Sequence, residues 1–136
     1  CTALLLAAGL LFSTAAAAEK PRTVLVQFER GSSSAVVTDR IRGHEYVLYK
    51  LRARKGQFLN VGLRPDNPSA DFNIYIPGRV PGDEALYNSA AGGSREYYGQ
   101  LYVDGDHTVS VFLNRNAARL GQTANYDLVV ELSPLP

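Results

Sequence analysis

Alternation is the pattern that most restricts what this chain can become. In the last third, Val109, Val111 and Leu113 alternate with Thr108, Ser110 and Phe112, and Tyr126, Leu128, Val130 and Leu132 with Asp127, Val129 and Glu131. A period of two places each first set on one face of an extended strand. The same alternation recurs upstream in Val24, Val26 and Phe28, in Val47, Tyr49, Leu51 and Ala53, in Leu59, Val61 and Leu63, and in Phe72, Ile74 and Ile76. Val37 and Ile41 lie in a weaker run. Glycine- and proline-bearing turn signals separate these runs, as at Arg42-Gly43, Lys55-Gly56, Arg64-Pro65-Asp66-Asn67-Pro68, Pro77-Gly78 and Asp104-Gly105-Asp106. Asp104-Gly105 reads as a hairpin turn, because glycine supplies the positive φ that tight turns need. Helical periodicity nowhere lasts three turns, so the expectation is at most one short helical turn near residues 116–120, stopped by Gly121. Strands that each need one buried face solve the problem by packing in two layers. The expected fold is all-β: an antiparallel two-sheet β-sandwich, jelly-roll-like, of about eight strands. Tyr46 and Tyr49 fall on opposite strand faces, one for the core and one for the surface.

The first residues differ in kind. Thr2 to Phe12 are almost wholly apolar, Ser13 to Ala18 are small, and Glu19-Lys20-Pro21 changes the composition abruptly. This reads as a secretory signal peptide over residues 1–18, its true start missing, followed by a single domain over residues 19–136. The apolar run is shorter than the roughly 20 residues a membrane span needs. Cys1 would leave with the signal, so the exported domain would have neither thiol nor disulfide. No membrane association is expected after cleavage.

All 14 Lys and Arg and all 13 Asp and Glu follow residue 18, and the formal net charge is +1. Without a basic stripe interleaved with aromatics, no nucleic-acid partner is expected. The two histidines, His44 and His107, both adjoin turns and have no nucleophile or metal-ligand spacing around them. Asp83-Glu84 are neighbours in sequence that point apart into solvent. The chain reads as a non-enzyme with no cofactor and no metal.

Two segments stand out as contact candidates. About twenty residues separate the strand ending at Ile76 from one starting near Gly99, longer than ordinary connections and rich in tyrosine and arginine. Gly92-Gly93 would let this loop bend sharply before Ser94, Arg95, Glu96, Tyr97 and Tyr98, displaying them as a narrow finger. In the second segment, Arg115 and Arg119 stand four apart in NRNAAR and would point from one side of a helical turn. They either meet a partner or pair internally with Asp127 or a turn carbonyl.

The pattern F-x-x-G-x-S-S-A (Phe28 to Ala35), then I-x-G-x-x-Y-x-x-Y (Ile41 to Tyr49), then A-x-K-G-Q (Ala53 to Gln57) resembles the periplasmic inhibitors of goose-type lysozyme. The tail, from His107-Thr108-Val109 through Asn114-Arg115-Asn116 to Arg119, with Asn125 to Leu128 following, resembles the same family. Inhibitors of invertebrate-type lysozyme and pre-peptidase C-terminal β-sandwich domains are similar too. The resemblance implies a small periplasmic protein that binds host lysozyme, goose-type or invertebrate-type, through a surface loop occluding the active-site cleft. It matches Ser94 and Tyr97 loosely to the loop motif of the invertebrate-type inhibitors. With Arg95, Glu96, Tyr98, Arg115 and Arg119 they form the expected partner-binding set. The alternative is a non-catalytic carbohydrate- or protein-binding module of the pre-peptidase type. An exposed edge strand could also pair two copies as a homodimer.

Overall fold

The structure, a computed structural model, describes residues 21–30 and 32–134. The leader expected at residues 1–18 lies outside them. Among the described residues there are nine strands: β1 (Arg22–Leu25), β2 (Ser34–Arg42), β3 (Tyr46–Ala53), β4 (Phe58–Pro65), β5 (Ala70–Tyr75), β6 (Tyr87–Asn88), β7 (Glu96–Gln100), β8 (Gly105–Leu113) and β9 (Thr123–Leu132). Two short helices interrupt them, α1 (Ser89–Gly92) and α2 (Arg115–Arg119). Among the described residues no helix is long and apolar enough to cross a membrane.

The strands form two sheets, ordered β1-β3-β8-β5-β6 and β2-β9-β4-β7. The alternating residues face each other between them. Val47, Tyr49, Leu51, Phe72, Ile74, Val109 and Val111 of the first sheet meet Ile41, Leu59, Val61, Leu63, Tyr126, Leu128 and Val130 of the second. Each large apolar side chain fully buried there contributes about 2 kcal/mol. The predicted β-sandwich is thus the observed one. Tyr49 is buried and Tyr46 half-buried.

Three features depart from expectation. β1 pairs with β3 in parallel, Arg22 beside Val47 through Leu25 beside Lys50, so the first sheet is mixed. The long segment after Ile76 holds β6, α1 and β7, so it is not an irregular loop. Asn88 caps α1 by accepting the Ala91 N–H, and Gly93 ends it at φ 72°. Finally, Asp104-Gly105 is not a hairpin turn, because β7 and β8 lie in different sheets. Gly105 does take a positive φ, 130°, but at the start of β8, with the Pro77 ring packed beside it. Most connections pass from one sheet to the other, so each end of the sandwich is a cluster of bridging turns.

The β1–β2 flank is closed by a polar clasp. Arg22 reaches both oxygens of Asp39, at 3.1 and 3.0 Å, and the Arg40 carbonyl at 3.1 Å. The Tyr49 hydroxyl lies 2.9 Å from Asp39 and 2.7 Å from the Tyr126 hydroxyl, tying the two sheets together. Burial raises both phenols, Tyr126 to about 12.

Candidate functional site

Both segments singled out in the sequence come to the same end of the sandwich. The antiparallel register places the β2–β3 turn, the β4–β5 loop, the α1–β7 connection and α2 together there. Backbone bonds knit them into one surface. Gly43 N–H donates to Gln122 O at 2.8 Å, and Asn114 N–H to Ser69 O at 2.8 Å. The Asn67 amide donates to Gln122 Oε1 at 3.1 Å and to Thr123 O at 3.2 Å. Asp66 accepts from the backbone and side chain of Asn125, both at 2.9 Å, and these bonds hold its carboxyl below the usual carboxylate range.

On this base sits α2. Asn114 caps it by accepting the Ala117 N–H at 2.9 Å, which satisfies one of the free donors of a first turn. Ala117 and Ala118 are buried, and this fixes the rotation of the turn. Arg115, Asn116, Arg119 and Leu120 are therefore held outward. Arg119 donates to Asn116 Oδ1 at 2.8 Å. Arg115 has no hydrogen-bond or ion-pair partner among the described residues. The internal pairing with Asp127 does not occur: Asp127 accepts from the Thr38 hydroxyl at 2.7 Å. The α2 turn thus presents two exposed guanidiniums, that of Arg115 without a partner among the described residues.

The 92–98 segment is not a finger. Glu96, Tyr97 and Tyr98 lie in β7, flat in the second sheet, opposite Gly62, Val61 and Asn60. Tyr97 turns inward, its ring centroid 5.2 Å from that of Tyr87, and burial raises its phenol. Tyr98 turns outward and stacks on Phe58 at 5.5 Å. Arg95 is turned back onto the protein. Its Nε donates to Ala70 O at 2.8 Å, an Nη to Pro68 O, and Asp71 lies 4.0 Å away. A planar guanidinium suits such a fork. Ser94 is exposed beside these groups; its carbonyl accepts the Tyr87 hydroxyl at 2.5 Å, and its Oγ accepts the Glu96 N–H at 3.1 Å. Of the seven predicted residues, Ser94, Arg95, Arg115 and Arg119 share the α2 end, and Glu96, Tyr97 and Tyr98 run away from it along the sheet. Sequence reasoning read Asp66-Asn67-Pro68 only as a turn and missed that Asn67 and Asp66 brace this surface. Asp and Asn before a proline is a turn signal whatever the turn supports.

Among the described residues no group of three or more His, Cys, Asp and Glu is placed to hold a metal ion. His107 is fully buried, with Nδ1 3.2 Å from Gly105 O and Nε2 unpartnered.

No family model matches the chain. An Escherichia coli K12 inhibitor of g-type lysozyme is 34% identical over 125 residues, spanning 90% of this chain and 89% of its own length. The crystal structure of Aeromonas hydrophila PliG, a periplasmic inhibitor of g-type lysozyme, is 31% identical with a TM-score of 0.79, covering 84% of this chain and 98% of that one. Its Salmonella Typhimurium counterpart is 30% identical with a TM-score of 0.61, covering 82% and 98%. The pre-peptidase C-terminal domain of a Bacillus anthracis collagenase shares the fold alone, at 7% identity and a TM-score of 0.52, covering 85% and 96%.

Proposed function

The chain belongs to the family of periplasmic inhibitors of g-type lysozyme, and on that premise we propose that it is itself such an inhibitor, closing the enzyme's cleft with the α2 end of its sandwich. It acts in the periplasm by binding a g-type lysozyme and turns nothing over. Similarity to the Escherichia coli inhibitor, 34% identical over an alignment covering 90% of the chain, carries the assignment of target.

The α2 end carries the assignment of surface. Glycoside hydrolases of the lysozyme kind cleave with carboxyl groups in a cleft, typically one of them held protonated by its surroundings. A guanidinium pairs with carboxylates through parallel N–H bonds and offers nothing to cleave. Arg115 and Arg119, outward on a braced turn, provide that group at little cost in ordering, since α2 is already fixed by Asn114 and its buried alanines. Ser94 adds an exposed hydroxyl at the same end of the sandwich, and Arg95 acts by holding the loop that carries it. The likeness to the pre-peptidase domain reaches the fold alone, so the accessory-module reading has no observation of its own behind it. A second copy pairing along β7 would lie to the side and leave the α2 end open.

The test is a lysis assay with g-type lysozyme, run beside chicken-type and invertebrate-type enzymes. Stoichiometric protection against the g-type enzyme is expected. The double variant Arg115→Ala, Arg119→Ala should lose at least about 3 kcal/mol of binding, in keeping with arginine hot spots, with its unfolding midpoint unchanged. Folded protein without effect on any g-type lysozyme overturns the function. Full inhibition by the double variant overturns the surface.

A further inference from the structure

α2 is five residues long, too short to hold a helical turn unaided. Its outward guanidiniums aim only as well as the protein around the turn allows. The buried methyls of Ala117 and Ala118 choose which side faces out. Bonds at the two ends of the turn then keep that choice fixed, and both come from the loop between β4 and β5. Ser69 O accepts the Asn114 N–H at the start of α2, at 2.8 Å. The Asn67 carboxamide takes the far end, donating to Gln122 Oε1 at 3.1 Å and to Thr123 O at 3.2 Å.

The loop is itself held from both sides. Asn67 Oδ1 accepts the Ser69 N–H at 2.9 Å, and Asn67 O accepts the Ala70 N–H at 3.1 Å, so residues 67–70 form one closed turn. Arg95 grips this turn from the other flank, through Ala70 O at 2.8 Å and Pro68 O. Residues 67–70 thus join the segment carrying Ser94 to the segment carrying Arg115 and Arg119. Gln122 extends the connection to the β2–β3 turn, its carbonyl accepting the Gly43 N–H at 2.8 Å. Asn67 is half-buried, and both ends of its carboxamide are committed inside the protein. It has little left to offer a partner directly.

Resting on the reading of the α2 end as the lysozyme-binding surface, we propose that Asn67 is a positioning residue for inhibition. Without touching the enzyme, it keeps α2 seated and so sets the aim of Arg115 and Arg119. A side-chain tip on a helix stands roughly 6 Å from the axis, so a rotation of about 20° carries it about 2 Å. Paired N–H bonds from a guanidinium to a carboxylate, about 2.8 Å long, do not survive such a shift. The arginines supply the charge, and the carboxamide behind them supplies the geometry.

Asn67→Ser tests this. A serine hydroxyl can still accept the Ser69 N–H and keep the turn, but it is too short to reach Gln122 and Thr123. Affinity for g-type lysozyme, read by biolayer interferometry, should fall roughly tenfold, chiefly through faster dissociation, with circular dichroism unchanged. The amides of Ala117, Ala118 and Leu120, which close α2, should exchange with deuterium faster in the free variant. In the Arg115→Ala, Arg119→Ala background the same change should cost less than about twofold, because nothing remains for it to aim. Gln122→Ala removes one acceptor and leaves the turn intact; it should give a smaller loss of the same kind, and it serves if Asn67→Ser does not fold. Native affinity in both Asn67→Ser and Gln122→Ala overturns the proposal. So does an equally large loss in the absence of the two arginines, which would make Asn67 a contact in its own right. A native chain that binds no g-type lysozyme overturns the function beneath the proposal, and that failure shows before any variant is made.

Discussion

The hydroxyls of Tyr49 and Tyr126 meet 2.7 Å apart between the two sheets. Tyr49 stands on β3 and Tyr126 on β9, so this bond crosses the core at the flank where Asp39 and Arg22 close it. Tyr49→Phe leaves the buried Tyr126 hydroxyl without its partner. The expected loss is about 1–3 kcal/mol of stability. Tyr49→Phe with Tyr126→Phe should cost less than the sum of the single changes, because the second removes the orphan that the first creates. Urea unfolding of the four proteins measures the coupling; additive losses would mean the bond contributes nothing as a pair.

The same cluster sets an acid limit. Burial works against the Asp39 charge, but the bonds from Arg22, the Arg40 N–H and Tyr49 outweigh it and leave the carboxyl below its ordinary value. A carboxyl depressed in the folded state adds stability that is complete above the unfolded value of about 3.9 and is lost as pH falls through the folded value. Asp39→Asn should therefore be less stable than the native chain at neutral pH and should lose less on going from pH near 5 to pH near 2. An unchanged slope would mean Asp39 is not the titrating group.

A second, milder pH dependence belongs to His107. Burial lowers its pKa. The unfolded chain then takes up a proton below about pH 6.5 that the folded one refuses, so stability present above that value falls as the medium acidifies. His107→Leu should flatten the stability profile between neutral pH and about pH 5. Thermal melts at several pH values would show it; parallel profiles would count against the idea.

Arg95 anchors the α1–β7 connection to the carbonyls of Pro68 and Ala70. Arg95→Ala should cost about 1–2 kcal/mol. Arg95→Lys should recover only part, because an ammonium cannot span two acceptors in one plane. Equal stability of the Arg95→Lys variant and the native chain in urea would show that the fork does not matter.

Gly92 leaves room for Tyr87. A Cβ there would fall 2.7 Å from the Tyr87 hydroxyl and ring edge. The ring is held between Phe72 at 5.7 Å and Tyr97 at 5.2 Å, so it has little freedom to withdraw. Gly92→Ala should destabilise by about 1–3 kcal/mol, the usual range for overpacking. It should also break the Tyr87–Ser94 bond, faster exchange of loop amides near Ser94 being the signature. Native-like stability and exchange would contradict the packing described.

Alternation alone determined the sandwich. The inward sets named from Val47 to Ala53, Leu59 to Leu63, Val109 to Leu113 and Tyr126 to Leu132 are the observed core, because a period of two fixes a strand's buried face without reference to its neighbours. Gly121, at φ 68°, stops the α2 turn as its composition foretold, and Asn114 to Arg119 could be marked as a contact segment from residue types alone. Tertiary structure decided the rest. Nothing local in Glu96-Tyr97-Tyr98 says that β4 will take it up as an edge strand instead of leaving it as a finger, since pairing depends on which sheet edge is vacant. Nothing in Arg95 or Arg115 distinguishes a clamp from a free contact, since that depends on carbonyls 25 and more residues away in sequence. Strand faces follow from neighbours along the chain; the meeting of Arg115, Arg119 and Ser94 at one end follows from which sheet each connection crosses to, and only the packed fold sets that.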